Sequence, residues 1–139
     1  MNTEENCIFC KIVAGEIPAN KIYEDDYTLA FLSIGPHNPG HTLVISKDHF
    51  ENLYGLPDEM LCRTIIAVKK IALAIKNGLE ADGINIGMNN EITAGQEINH
   101  AHFHIIPRKE GDGLVHWPAK AYLPGEAEEV AMKIKFALD

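Results

Sequence analysis

The stretch His100-Ala101-His102-Phe103-His104-Ile105-Ile106-Pro107-Arg108 alternates imidazole with apolar side chains at a period of two. Successive side chains of a β-strand point to opposite faces. The spacing therefore predicts a strand over residues 98–107, with His100, His102 and His104 on one side and Ala101, Phe103 and Ile105 in the core. A solvated polar face without chemistry is the bland account of one such histidine. It accounts poorly for three of the chain's seven histidines at consecutive same-face positions.

Working outward, residues 7–14 predict a short helix stopped by Gly15 and Pro18. Residues 21–24, 28–33 and 41–46 read as short strands, with Asp25-Asp26 turning between the first two. The run Ile34-Gly35-Pro36-His37-Asn38-Pro39-Gly40 is dense in breakers and reads as a loop. Residues 57–77 carry the long helix. Pro57 suits its first position, Asp58 and Glu59 favour the N-terminal end of its dipole, and Gly78 supplies the stop. Leu61, Ile65, Val68, Ile71, Ile75 and Leu79 recur at helical spacing and predict its buried face. Residues 83–88 read as a strand, 89–96 as a polar loop and 126–138 as an amphipathic helix. Antiparallel strands segregated from one long helix make the class α+β, with a sheet of about five strands.

The chain has 139 residues and 15.4 kDa, the size of one domain spanning 1–139. Twenty acidic against twelve basic side chains leave a net charge of −8, which disfavours extended nucleic acid as a partner. A pocket of amides and histidines can still take a small phosphorylated ligand. No run approaches the ~20 apolar residues of a membrane span, and the polar, acidic start is unlike a secretory signal. Of three cysteines, two form Cys7-x-x-Cys10, a spacing that in a reducing compartment points to metal or redox chemistry before a structural disulfide. These features lead us to expect a cytoplasmic protein with no membrane partner.

Two chemistries compete for the three histidines. A single catalytic zinc is one, but the first and third positions of a straight strand lie roughly 13 Å apart, while both ligating nitrogens must sit ~2 Å from the metal. The other divides the labour: one imidazole attacks, a neighbour manages proton or charge, and another serves structure. Upstream, Gly95 in Ala94-Gly95-Gln96-Glu97 lets backbone approach a ligand closely, and successive amides there can form an anion nest. Neutral imidazole is a competent nucleophile at phosphorus, and a covalent intermediate splits one difficult displacement into two.

Cys7 and Cys10 supply two metal ligands and lack two more. His100 and His49 are the candidates to complete a Cys2His2 tetrahedron, a closed structural zinc site. The competing account makes both cysteines reduced core residues and His49 a solvated loop residue. Cys62, on the long helix, reads as core. His41, at the opening of the third strand, is placed at the ligand pocket, and His37 and His116 receive no role.

The triplet with its flanks resembles the His-φ-His-φ-His-φ-φ signature of the histidine triad (HIT) superfamily of nucleotide hydrolases and transferases. Ala94-Gly95-Gln96-Glu97, Pro107-Arg108, Ile8-Phe9-Cys10-Lys11-Ile12, residues 27–31 and Pro39-Gly40-His41-Thr42-Leu43-Val44-Ile45 carry the same resemblance. It covers about residues 7–108, while the tail 109–139 carries much less information. The resemblance implies that His102 attacks an α-phosphate and carries a transient nucleotidyl group. It further implies that His104 contacts the phosphate and helps the leaving group, and that Gln96 and Asn89 hold phosphate oxygens. The implied substrates are purine nucleoside phosphoramidates or dinucleoside polyphosphates, and the implied assembly is a homodimer, with Trp117 placed to reach the partner. Some bacterial members resemble the Cys7, Cys10, His49 and His100 arrangement, which extends the expectation to one structural zinc.

Two positions depart from the family pattern. Ser33 stands where members commonly have Asp, whose carboxylate would accept hydrogen bonds from both ribose hydroxyls. Glu97 stands where many members have Ser or Thr, and a carboxylate beside phosphate must turn away or carry a proton. The alternative to an enzyme is a nucleotide-binding or interaction module that keeps the fold. Pure binding needs no nucleophile, so retention of all three histidines argues against it.

Overall fold

The computed structural model describes residues 3–138. Five strands, β1 (Lys21–Glu24), β2 (Thr28–Leu32), β3 (Thr42–Ser46), β4 (Gly83–Gly87) and β5 (His102–Arg108), form one sheet in the order β1-β2-β3-β5-β4. Every neighbouring pair is antiparallel. Three helices accompany it: α1 (Ile8–Val13), α2 (Asp58–Gly78) and α3 (Glu126–Ala137). The α+β class and the five-strand count agree with the sequence reading. No helix among the described residues is long and apolar enough to cross a membrane.

Apolar clusters fill both faces of the sheet. On one side Ala30, Val44, Phe103 and Ile105 pack against Ala67, Val68, Ile71 and Ile75 of α2. On the other, Leu29, Phe31, Leu43 and Ile45 pack against Phe9, Cys10 and Ile12 of α1. Full burial of one such aliphatic side chain contributes roughly 1.5–3 kcal/mol. The short α1 therefore matters more than its length suggests, because it turns the histidine face of the sheet into an interior.

Four expectations need correction. The histidine strand starts at His102, not at residue 98. Residues 98–100 bend, and the Ala101 amide donates to the Phe50 oxygen at 2.7 Å, which takes His100 off the ladder. The buried stripe of α2 is Thr64, Ala67, Val68, Ile71 and Ile75, whereas Ile65 and Leu79 are exposed. Thr64 can be buried because its hydroxyl donates to the Met60 oxygen at 2.8 Å, so counting apolar residues selects the wrong edge of the stripe. Cys62, read as core, is exposed. Pro57 precedes α2 in the N-cap position and does not occupy its first turn.

Gly40 ends the breaker loop with φ +94°, where a Cβ would lie 2.3 Å from Leu79 Cδ1. The positive φ is what favours glycine there, since the terminal methyl of the exposed Leu79 can move aside. The loop lies against the end of α2, and the next residue, His41, enters the sheet beside β5. At the other end of the chain, α3 buries none of its residues.

Candidate nucleotide site and metal centre

His102 and His104 share a face of β5, with ring centroids 4.9 Å apart. Opposite them in β3 stand Ile45 and Leu43. His102 is buried, and the edge of Phe9 from α1 packs on it at 5.2 Å. Its Nδ1 lies 2.7 Å from the main-chain oxygen of His100. A carbonyl only accepts, so Nδ1 carries the hydrogen. Burial, the largest influence, lowers the His102 pKa below the ordinary histidine value, and the ring is neutral at pH 7. Its lone pair is then on Nε2.

The tautomer of His104 follows from a longer chain. The His37 amide donates to His41 Nδ1 at 3.1 Å, which leaves the hydrogen of a neutral His41 on Nε2. That hydrogen points at His104 Nδ1, 2.9 Å away. His104 in turn carries its own hydrogen on Nε2. Burial first, then the neighbouring imidazoles, lower both His41 and His104 to about 4. The site therefore pairs a lone pair on His102 Nε2 with a donor on His104 Nε2, both on uncharged rings. His37 was given no role from sequence, yet its amide starts this chain and its ring stacks on His41 at 5.0 Å and 17°. Its position four residues before His41 in a breaker loop is the one signal that could have found it.

A cavity of about 530 Å³ opens at these rings. His102, His104, His41, Ser33, Asn89, Gly95 and Glu97 border it, and Phe9, Phe31 and Leu43 make its apolar side. A polar, histidine-bearing end beside an aromatic and aliphatic slot suits a ligand with a phosphate at one end and a flat apolar group at the other. A second cavity of about 550 Å³ also borders His104 and Asn89, together with Asn85, His116 and Trp117.

Gln96 does not line either cavity. It is buried, and its side chain holds the loop together: Oε1 accepts from the Glu91 amide at 2.8 Å, and Nε2 donates to the Glu51 and Ile98 oxygens at 2.6 and 3.1 Å. Glu91 needs that brace, since its φ of +73° and ψ of 156° fall where only glycine is comfortable. Gly95, at φ +95°, places its carbonyl within 3.3 Å of Asn89 Nδ2. Asn89 and the Gly95 turn thus reach the cavity, while Gln96 secures the turn from behind.

Behind β5 the four expected metal ligands converge. One ligand atom from each of Cys7, Cys10, His49 and His100 lies within 4.8 Å of all the others. Cys7 Sγ and Cys10 Sγ are 3.4 and 3.6 Å from His100 Nδ1, and Cys10 Sγ is 3.4 Å from His49 Nδ1. Sulfur and nitrogen at ordinary zinc bond lengths are separated by about 3.6 Å along a tetrahedron edge. The donor set fits zinc by type and by spacing. His100 Nε2 donates to the Ser46 oxygen at 2.8 Å, so the Nδ1 lone pair is the one that faces the sulfurs. Cys7 is the N-cap of α1, its sulfur accepting from the Cys10 amide at 3.2 Å. Burial of the metal-free pair pushes the Cys7 thiol up to about 11. A single zinc shared by all three triad histidines is ruled out by this geometry, because the ligating nitrogen of His100 faces the cysteines.

Comparison with known proteins bears on both halves of the site. The family model for the HIT domain matches residues 14–111. The chain is 47% identical to Protein hit of Bacillus subtilis over 138 residues, covering 96% of this chain and 95% of that one. It is 45% identical over 116 residues to adenosine 5'-monophosphoramidase HNT1 of Saccharomyces cerevisiae, covering 82% and 71% respectively. A crystal structure of a HIT family member from Bacillus subtilis superposes with a TM-score of 0.87 at 45% identity, covering 94% of this chain and 96% of that chain. A zinc-bound histidine triad family protein from Mycobacterium smegmatis superposes with a TM-score of 0.76 at 36% identity, covering 95% and 97%. The chain belongs to the HIT domain family.

Proposed function

We propose that the protein hydrolyses a bond to the α-phosphate of a purine nucleotide through a nucleotidyl-histidine intermediate on His102, with a nucleoside phosphoramidate as substrate. The observation that carries this reading is the neutral His102 ring, whose Nδ1 is held by the His100 carbonyl and whose Nε2 lone pair belongs to a residue bordering the cavity. In the first step Nε2 forms a bond to phosphorus, the P–N bond breaks, and the leaving amine takes a proton from solvent. In the second, water attacks the same phosphorus, gives up a proton to solvent, and the P–Nε2 bond breaks to release the nucleoside monophosphate and free His102. The His104 Nε2–H donates to phosphate oxygens as charge builds on them. The phosphoramidase name of the yeast relative supports an adenosine phosphoramidate over a dinucleoside polyphosphate.

Incubation with adenosine phosphoramidate should release AMP. Rapid quenching into alkaline denaturant should trap nucleotide on the protein that mild acid removes. AMP release with no trapped nucleotide at any time point would sink the covalent route.

We also infer a bacterial-type member with one structural zinc on Cys7, Cys10, His49 and His100, and a homodimer. The donor spacing and the zinc-bound relative support the metal. All four positions are occupied by protein side chains, so the ion would stabilise the fold and tie the start of α1 to the bend that leads into β5 without meeting substrate. Trp117, 90% exposed, is one of the large apolar side chains available to a partner. A sedimentation-equilibrium mass near one chain at micromolar concentration would end the dimer reading.

A further inference from the structure

His49 has both ring nitrogens committed, in opposite directions. Nδ1 faces Cys10 Sγ at 3.4 Å, and Nε2 faces Glu4 Oε2 at 2.7 Å. An ionised carboxylate only accepts, so Nε2 carries the hydrogen and the lone pair on Nδ1 is turned to the thiols. Glu4 grips the cluster a second way, because its main-chain oxygen accepts from the Cys7 amide at 3.2 Å. One residue thus braces two candidate ligands that come from segments more than forty positions apart.

The two histidines of the cluster are held unequally. His100 is buried and donates to a neutral main-chain carbonyl, that of Ser46. His49 donates to a charged side chain at the edge of the cluster, where Glu4, Cys7, His49 and Glu97 border a cavity of about 280 Å³. His49 and Cys7 are therefore the candidate ligands next to open space, and the far nitrogen of the His49 ring is held there by the Glu4 carboxylate. A carboxylate on the far nitrogen of a ligating imidazole fixes the tautomer and raises the basicity of the near nitrogen.

We propose that Glu4 is a positioning residue of the metal centre: it fixes His49 as an Nδ1 donor and slows loss of the ion past the open edge. The proposal rests on the zinc reading above. An ordinary surface ion pair, by contrast, would contribute little and leave metal affinity untouched.

The test uses zinc-loaded full-length protein and competition with a chromogenic chelator, read as affinity and release rate. Glu4→Ala should weaken zinc about 10- to 100-fold. Glu4→Gln should fall between Ala and wild type, since its amide oxygen still accepts but carries no charge. Glu5→Gln, which changes net charge equally, should match wild type. Cobalt-substituted Glu4→Ala at saturating metal should keep the absorption of a two-sulfur, two-nitrogen site. Zinc held equally tightly by wild type and Glu4→Ala would overturn the role of Glu4 alone. A wild-type chain that takes up no zinc would overturn the metal reading and this proposal with it.

Discussion

His100 presents its main-chain oxygen to His102 Nδ1 at 2.7 Å and its own Nδ1 to the sulfurs of Cys7 and Cys10 at 3.4 and 3.6 Å. One residue thus connects the proposed nucleophile to the proposed metal centre. Its carbonyl selects the His102 tautomer, and its ring is held by groups from α1. A shift in that anchor would move the carbonyl and, through it, the direction of the His102 lone pair.

Replacing His102 removes the two-step route and leaves the rest of the cavity in place. For His102→Ala we expect kcat for AMP release to fall about a thousandfold or more. AMP binding by calorimetry should stay within about tenfold, or ~1.4 kcal/mol. Turnover near the wild-type rate would show that another group attacks phosphorus.

Cys7 is both a candidate ligand and the N-cap of α1. Elemental analysis should find about one zinc per wild-type chain, and Cys7→Ser should hold less than half of that. Serine can still cap the helix, so the accompanying loss of several degrees in Tm would come from the metal and not from the cap. Equal Tm in the two proteins would return the cysteines to a packing role.

His41 and His104 titrate at about 4 in the folded protein and near 6.5 when unfolded. Between those values the unfolded chain binds more protons, so stability rises with pH through the window and is lost as pH falls from 6.5 toward 4. From pH 7.5 to 5 the buried His41 alone should cost about 2 kcal/mol. Denaturant unfolding of metal-free protein at pH 7.5 and 5.0 measures this, and His41→Gln should show a shallower dependence. Equal wild-type midpoints at the two pH values would contradict it.

Ser33 borders the cavity, and its hydroxyl accepts from the Gly35 amide at 3.3 Å, a single oxygen where a ribose presents two hydroxyls. Ser33→Asp should lower KM for adenosine phosphoramidate by about tenfold with kcat little changed, since a charged acceptor strengthens each hydrogen bond. Discrimination against the 2'-deoxy substrate should rise in parallel. Steady-state kinetics with both substrates give the answer, and unchanged KM values would place the ribose elsewhere.

Periodicity and spacing made much of this protein readable before any fold was known. Alternation over His102–Arg108 set His102 and His104 on one side because a strand's side-chain period is local and independent of what packs on it. The short Cys7-x-x-Cys10 interval lies within one turn of α1, so both sulfurs were bound to share a side. The long helix was legible from its acidic first turn, Asp58 and Glu59, whereas Gly78, read as its stop, is its last helical residue.

Tertiary structure decided what local pattern leaves open. Alternation could not say that His100 leaves the ladder, because the bend is held by Phe50, distant in sequence. Apolar spacing on α2 allowed two overlapping stripes, and only the sheet chose the one containing Thr64 over the one containing Ile65 and Leu79. Gln96 read as a phosphate contact until the loop closed around it, and His37 had no signal apart from its distance to His41. The convergence of residues 7, 10, 49 and 100 is of the same kind. Each ligand comes from a locally determined element, but their meeting depends on α1 folding over the face of β3 and β5. That docking is driven by burial of Phe9, Cys10 and Ile12, which is a property of the assembled core and not of any one segment.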